Sequence, residues 1–173
     1  LLMIAPFAEA PVEIVIEGPR VSKSYVDMTL SAMRSFGVGV DGGDGRTFRI
    51  ENRQAYVPRT YAVAGDASSA AFFFAAAAIT GRTIRVTGLN PDSAQGDIRF
   101  PDLLARMGCG VRRGVDWIEV SGASLRGIDV DMSDMPDSVP ALSMAALFAR
   151  TRTVIRNVAH LRLKESDRLR TIA

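Results

Sequence analysis

Three short runs of alternating polar and apolar residues return at one interval along this chain. No other feature constrains its fold as tightly. Ile14 sits in Glu13-Ile14-Val15-Ile16-Glu17-Gly18, Ile84 in Thr83-Ile84-Arg85-Val86-Thr87-Gly88, and Val154 in Thr153-Val154-Ile155-Arg156-Asn157-Val158. The interval is 70 residues both times. Alternation with period two is the signature of a half-buried strand, and recurrence at fixed spacing is that of a repeated supersecondary unit.

What flanks the runs also recurs. After the first, Val26, Leu30, Met33 and Phe36 fall on one face of a predicted helix, and Gly37 follows. After the second, Leu103, Leu104 and Met107 do the same, and Gly108 follows. Spacings of three and four give a core-facing stripe, and the glycine is a natural stop. Each glycine leads into a hairpin-like stretch: Val38 to Asn52, turning at the Gly-rich Asp41 to Gly45, and Cys109 to Gly122, turning at Gly114. Ahead of the strands stand ASSAAFFFAAAAIT (67–80) and SVPALSMAALFA (138–149), and Leu1 to Ala8 reads as the tail of a third such segment. Neither long segment has a charged face, which predicts helices covered on nearly all sides. They are too short to span a bilayer, so a protein interior is the expected cover. The unit is thus a strand, a buried helix, a strand, an amphipathic helix and two antiparallel strands. The predicted fold class is α+β, mixed: repeated βαβαββ units with buried helices and outer sheets. The first and last residues both fall inside such a unit, so an interior fragment of a longer protein is expected.

Composition excludes several function classes. Lys and Arg number 21 against 19 Asp and Glu, and no run of five like charges occurs, so binding of nucleic acid by bulk charge is not expected. One cysteine, Cys109, permits no internal disulfide and no Cys-rich metal site, and suits a reducing compartment. One histidine, His160, excludes any centre that needs two imidazoles. The chain does not open on Met and has no charged segment ahead of an apolar run, so no signal peptide is expected. Neither a P-loop nor a dinucleotide-binding glycine pattern is present.

Three places could carry chemistry. Leu163-Lys164-Glu165-Ser166-Asp167-Arg168 follows the third strand. If it opens a helix, Lys164, Glu165 and Arg168 share one arc, and two cations four residues apart are best tolerated when an anion bridges them. A helix N-terminus would add N–H donors, making a carboxylate or phosphate site with a glutamate beside it. The alternative is a solvated first turn with a Glu165–Arg168 surface pair. Asp137 precedes the segment 138–149 and is either its N-cap, a role open to Ser138 too, or a carboxylate that accepts a hydroxyl proton. Asp66 poses the same choice before 67–80. Pro19-Arg20-Val21-Ser22-Lys23-Ser24-Tyr25 occupies the same place in its repeat as Leu161 to Lys164 in theirs. There Ser22, Lys23 and Tyr25 could hold a phosphate or hydroxyls, or Ser22 or Ser24 could simply cap.

Val21-Ser22-Lys23-Ser24-Tyr25-Val26-Asp27, Gly65 to Ile79, Gln95-Gly96-Asp97-Ile98-Arg99-Phe100 and Leu161 to Leu169 resemble successive landmarks of the EPSP synthase family. They occur in the family's order, and the likeness covers essentially the whole chain. The resemblance implies the enolpyruvyl transferase fold. It also implies transfer of the enolpyruvyl group of phosphoenolpyruvate to the 5-hydroxyl of shikimate 3-phosphate, with release of phosphate and with no metal or organic cofactor. Residues 1–64 would end one domain and residues 65–173 begin another, in a monomeric cytoplasmic enzyme of the shikimate pathway. Its partners would be these small substrates, with neither nucleic acid nor membrane.

By the same resemblance, Asp137 contacts the shikimate hydroxyls and accepts the 5-hydroxyl proton, and Lys164 lies beside that hydroxyl. Glu165 protonates the phosphoenolpyruvate methylene, and Arg168 holds its carboxylate. Ser22 binds the shikimate phosphate with Tyr25 as its neighbour, and His160 stands where some members place a substrate-contacting Asn. Further site groups of the family have no counterpart in this sequence, so the chain alone is expected to be inactive. A sister family acting on UDP-N-acetylglucosamine shares the fold but not the K-E-S-D-R and G-D-A-S-S-A runs. A non-catalytic repeat scaffold would leave Asp137, Lys164 and Glu165 as caps and surface charges.

Overall fold

In the computed structural model, which describes residues 1–18, 21–42 and 44–173, the alternating runs become strands. The chain separates into two units, Leu1–Ala62 and Val63–Ala173. Pro19, Arg20 and Gly43, which belong to two of the segments singled out above, lie outside the described residues.

In the first unit, β1 (Val12–Val15) is followed by α1 (Lys23–Ser35) and β2 (Thr47–Ile50). The strands pair antiparallel, with Ile14 opposite Phe48. The predicted stripe of α1 turns inward: Leu30 and Met33 are buried with Val38, Val40, Phe48 and Ile50, and Val26 packs against them. Gly37 ends the helix region at φ +87°. Only one arm of the predicted hairpin 38–52 forms a strand. The other makes a single bridge, Asp41 to Arg49. The cause is Gln54: its side-chain amide takes both the Gly39 N–H (2.7 Å) and the Gly39 carbonyl (3.1 Å), groups a strand would offer to β2. Leu1 to Ala8 does not continue as a buried helix either. Leu2–Phe7 is a 3-10 turn containing Pro6, with Leu1, Met3, Ile4 and Phe7 exposed.

The second unit runs α2 (Ala67–Thr80), β3 (Thr83–Thr87), α3 (Phe100–Met107), β4 (Gly110–Arg113), β5 (Trp117–Ser121), β6 (Asp129–Asp131), α4 (Val139–Leu147), β7 (Val154–Arg156) and α5 (Arg168–Ile172). One sheet has the order β3-β5-β4, all antiparallel, with Ile84 opposite Val120. That repeats the Ile14–Phe48 pairing at the equivalent place in the first unit. β6 and β7 pair in parallel, Val130 opposite Ile155, with α4 between them in the chain. Ile118 and Val120 face the core, and the other side of β5 faces solvent. On that outer side Arg85 pairs with Glu119 at 2.9 Å and lies 3.9 Å over the Trp117 ring. Phe74, Leu104, Met107, Leu142 and Leu161 fill the core, each stabilising by about 1.5–3 kcal/mol on burial.

The apolar helices are covered on one side only, against the expectation from their composition. On α2, Ala67, Ala70, Ala71, Phe74, Ala75, Ala77 and Ala78 are buried, yet Phe72 is 51% and Phe73 59% exposed. On α4, Met144, Leu147 and Phe148 just beyond its end are likewise exposed. The reason is a shortage of partners within the unit. α2 rests on α3, α4, β3 and β5, and among the described residues of this unit no element lies over its other face.

Candidate functional site

Parallel pairing decides which loops meet. In a parallel pair both strands end at the same edge, so the segments leaving Asp131 and Arg156 start side by side. The first makes a 3-10 turn, Pro136–Ser138, and enters α4. The second makes a 3-10 turn, Ala159–Leu163, then runs through Lys164 to Asp167 into α5. Asp137 and Lys164 therefore face one another: the Lys164 ammonium lies 3.5 Å from Asp137 Oδ1. Arg168 donates from Nη1 to the same Asp137 oxygen at 2.7 Å. Its other edge clasps Glu165, Nε to Oε1 at 2.8 Å and Nη2 to Oε2 at 3.0 Å. This fork-to-fork geometry is the one in which guanidinium binds carboxylate best. Lys164, Asp137 and Arg168 are 29%, 26% and 21% exposed, whereas Glu165 is 67% exposed.

Two local expectations change. Lys164, Glu165 and Arg168 do not share a helical arc, because α5 begins only at Arg168. Asp167 takes the cap position, its carboxylate accepting the Arg170 N–H at 3.1 Å and Arg162 Nη1 at 2.8 Å. The five-residue α5 is no helix-terminus anion site, so the cations gather through tertiary pairing instead. Asp137 is not a side-chain cap of α4 either. Its carboxylate goes to Lys164 and Arg168, and no side chain caps α4. Asp66 does cap α2, accepting the Ser68 N–H at 2.9 Å and the Ser69 hydroxyl at 2.5 Å.

Asp137, Glu165 and Arg168 line a cavity of about 490 Å³ together with Ser68, Ser69 and Phe72 of α2 and Pro140 of α4. Sequence reasoning quoted G-D-A-S-S-A only as a landmark. The structure places its serines in the cavity wall. Gly65 opens this run because nothing larger fits: a Cβ there would stand 2.5 Å from the Gly88 carbonyl oxygen. Asp97, in the Q-G-D-I-R-F run, was also missed as a group of interest. It is a carboxylate only 3% exposed.

The electrostatics are set by the cations. The Arg168 guanidinium beside Glu165 holds its carboxyl below the usual carboxylate range, so Glu165 is ionised at neutral pH. His160 is half-buried nearby, and its Nε2 is buried without a hydrogen-bond partner. Burial, then the Lys164 ammonium, push its pKa down, and Asp137 opposes them. His160 is thus neutral at pH 7.

Ser22 and Tyr25 belong to the other unit, at the start of α1. Ser22 adopts the left-handed conformation, φ +56°, which non-glycine residues seldom visit. Its side chain does not cap α1; Ser24 is buried, and Lys23 pairs with Asp27 at 3.1 Å. Among the described residues, no cluster of His, Cys, Asp and Glu could hold a metal ion, and no helix is long and apolar enough to cross a membrane.

The chain is 51% identical over its whole length to the 3-phosphoshikimate 1-carboxyvinyltransferase of Serratia proteamaculans and 49% to that of Photorhabdus laumondii. It spans 41% of the length of each. Among solved structures it is similar to EPSP synthase from Acinetobacter baumannii, with a TM-score of 0.73, 28% identity, and 99% of this chain and 40% of that one covered. It shares its fold with the enolpyruvyl transferase NikO from Streptomyces tendae at a TM-score of 0.65, with 19% identity, 95% of this chain and 41% of that one covered. The sequence model of the EPSP synthase (3-phosphoshikimate 1-carboxyvinyltransferase) family matches residues 1–173, and the chain belongs to that family.

Proposed function

We propose that this chain is part of an enzyme that moves the enolpyruvyl group of phosphoenolpyruvate to the 5-hydroxyl of shikimate 3-phosphate and releases phosphate. The observation that carries the reading is that Asp137, Glu165 and Arg168 line one cavity, with the Lys164 ammonium 3.5 Å from the Asp137 oxygen that Arg168 also holds, in a chain whose family has this name. Residues 1–64 are read as the end of one domain and 65–173 as the start of the other. The enzyme is read as cytoplasmic and monomeric, with two small-molecule substrates, no nucleic-acid or membrane partner, and no metal or organic cofactor.

The chemistry asks for a base at the hydroxyl, an acid at the methylene carbon and a cation for the carboxylate. Asp137, held beside Lys164, suits the hydroxyl proton. Glu165 suits the methylene: it would give a proton as the C–O bond forms and regain it when phosphate leaves and the vinyl group returns. While it is clasped to Arg168 it stays ionised and cannot act as an acid. A substrate carboxylate supplies what is missing. By taking the Arg168 fork it releases Glu165, removes the cation that depressed its pKa and adds a negative neighbour, all of which favour the protonated acid. Ser22 and Tyr25 are read as shikimate phosphate contacts and His160 as a neutral substrate contact.

The test is phosphate release with both substrates, measured for the full-length protein carrying this sequence and for residues 1–173 alone. Turnover dependent on shikimate 3-phosphate is expected of the first and not of the second. A full-length protein without it would refute the reading.

A further inference from the structure

The roles above leave one buried charge unused. Asp97 lies in the 3-10 turn Gly96–Arg99 that leads into α3, and its carboxylate accepts the Ser68 hydroxyl at 2.8 Å and the Ser138 hydroxyl. A carboxylate removed from water costs several kcal/mol unless hydrogen bonds repay it, and an apolar side chain would fill such a place at less cost. The neighbours of Asp97 show what it holds. Gln95 accepts the Ala67 N–H at 2.8 Å and donates to the Gly65 carbonyl at 2.7 Å, fixing the entry to α2. Arg99 donates to Asp134 at 2.6 Å, in the loop that leads to Asp137. Between them Asp97 reaches both α2, through Ser68, and the residue next to Asp137, through Ser138, which is fully buried.

We propose that Asp97 is a positioning residue for Asp137. It acts through the Ser138 hydroxyl, and the inference rests on the role given to Asp137 above. The local chemistry supplies the reason such a device is needed. An Asp or Ser at the start of a helix by default accepts an N–H of the first turn. At the start of α4 neither does so: Ser138 gives its hydroxyl to Asp97, and Asp137 turns to Lys164 and Arg168. With the Ser138 hydroxyl held inward, the adjacent Asp137 side chain stays on the cavity side of the turn. Release of Ser138 frees the turn to rotate, and the Asp137 carboxylate can then relax into the cap it now forgoes, away from the hydroxyl it must deprotonate. A displacement of about 1 Å at a reacting group costs on the order of a hundredfold in rate.

Ser138→Ala in the full-length protein removes the link and leaves every side chain of the ion-pair cluster in place. It is expected to lower kcat about ten- to hundredfold, with KM for phosphoenolpyruvate changed less than about threefold. A structural role elsewhere would add its loss to that of any other variant, whereas a role exercised through Asp137 does not. Ser138→Ala/Asp137→Asn should therefore be no slower than Asp137→Asn alone. Asp97→Asn should reproduce Ser138→Ala; if it fails to fold, the serine variant decides. Wild-type kcat in Ser138→Ala overturns the proposal, as does an additive loss in the double variant. Wild-type turnover in Asp137→Asn would remove the role of Asp137 itself and the proposal with it. Loss in Asp137→Asn without loss in Ser138→Ala removes the proposal alone.

Discussion

Glu165→Gln should move binding and turnover in opposite directions. Both Glu165 oxygens engage the Arg168 fork, at 2.8 and 3.0 Å, so the side chain competes with any ligand carboxylate for the same two N–H groups. Glutamine keeps the length and one acceptor but loses the charge, and the clasp weakens. The Glu165 side of the pair is exposed and screened, so the competition it removes is small: affinity for phosphoenolpyruvate should rise by about two- to fivefold. The same substitution deletes the group read as the general acid, so kcat should fall on the order of a hundredfold or more. Affinity for shikimate 3-phosphate should not change. Calorimetric binding and steady-state phosphate release in the full-length protein read the two effects separately. High salt should shrink the gain in affinity, since it weakens the wild-type clasp, and leave the loss in kcat untouched. Affinity and turnover that fall together would mean that Glu165 binds substrate rather than competing with it. Turnover near wild type would remove it as the acid.

Acid should open the same clasp. The fold lowers the pKa of Glu165, so the clasp is complete above the ordinary glutamate pKa of about 4.3 and is lost as pH falls through the depressed value; the Arg168 Nε–H resonance should hold steady from neutral pH down to about 5 and shift only below that, and a shift centred near pH 6 would contradict the pairing. The uncovered apolar stripes give a second expectation: residues 1–173 alone should bind a hydrophobic dye and elute from a sizing column at a position that depends on concentration, and Phe72→Ser/Phe73→Ser should reduce both, because these side chains are 51% and 59% exposed. A chain that stays monomeric and dye-free at high concentration would show that the stripes do not drive association.

The parts of this fold that were legible in the sequence are those fixed by local period. Ile14, Ile84 and Val154 lie in β1, β3 and β7, and the stops at Gly37 and Gly108 fall where positive φ is needed. Composition was a poorer guide where it concerned neighbours. The residues of α2 state that the helix can be covered all round; they do not say how many elements of this chain are there to cover it, and Phe72 and Phe73 remain exposed for that reason. The missing arm of the first hairpin has the same origin. Gly39 could have joined a ladder, but a glutamine fifteen residues later takes both of its backbone groups, and nothing in the alternation of Val38 to Asp41 reveals it.

Asp137 shows where local reading has to give way. Its sequence context, a short polar residue ahead of an apolar helical run, describes a cap, and a cap satisfies everything the neighbouring residues require. What overrides that preference lies about thirty residues away. The parallel register of β6 and β7 puts Asp131 opposite Arg156, so two loops that are distant in the chain leave one edge together and bring Lys164 and Arg168 to the same carboxylate oxygen. Two cations at one carboxylate offset its desolvation more fully than a single backbone N–H would, since charge-assisted bonds are about twice as strong as neutral ones. The tertiary pairing therefore wins, and α4 is left without a side-chain cap. A cap worth about 1 kcal/mol is forgone where the carboxylate is committed to Lys164 and Arg168 instead. Local rules and global structure part company there: Asp137 turns to Lys164 and Arg168, and in the role proposed above the buried pair of Asp97 and Ser138 behind it helps to hold it on the cavity side.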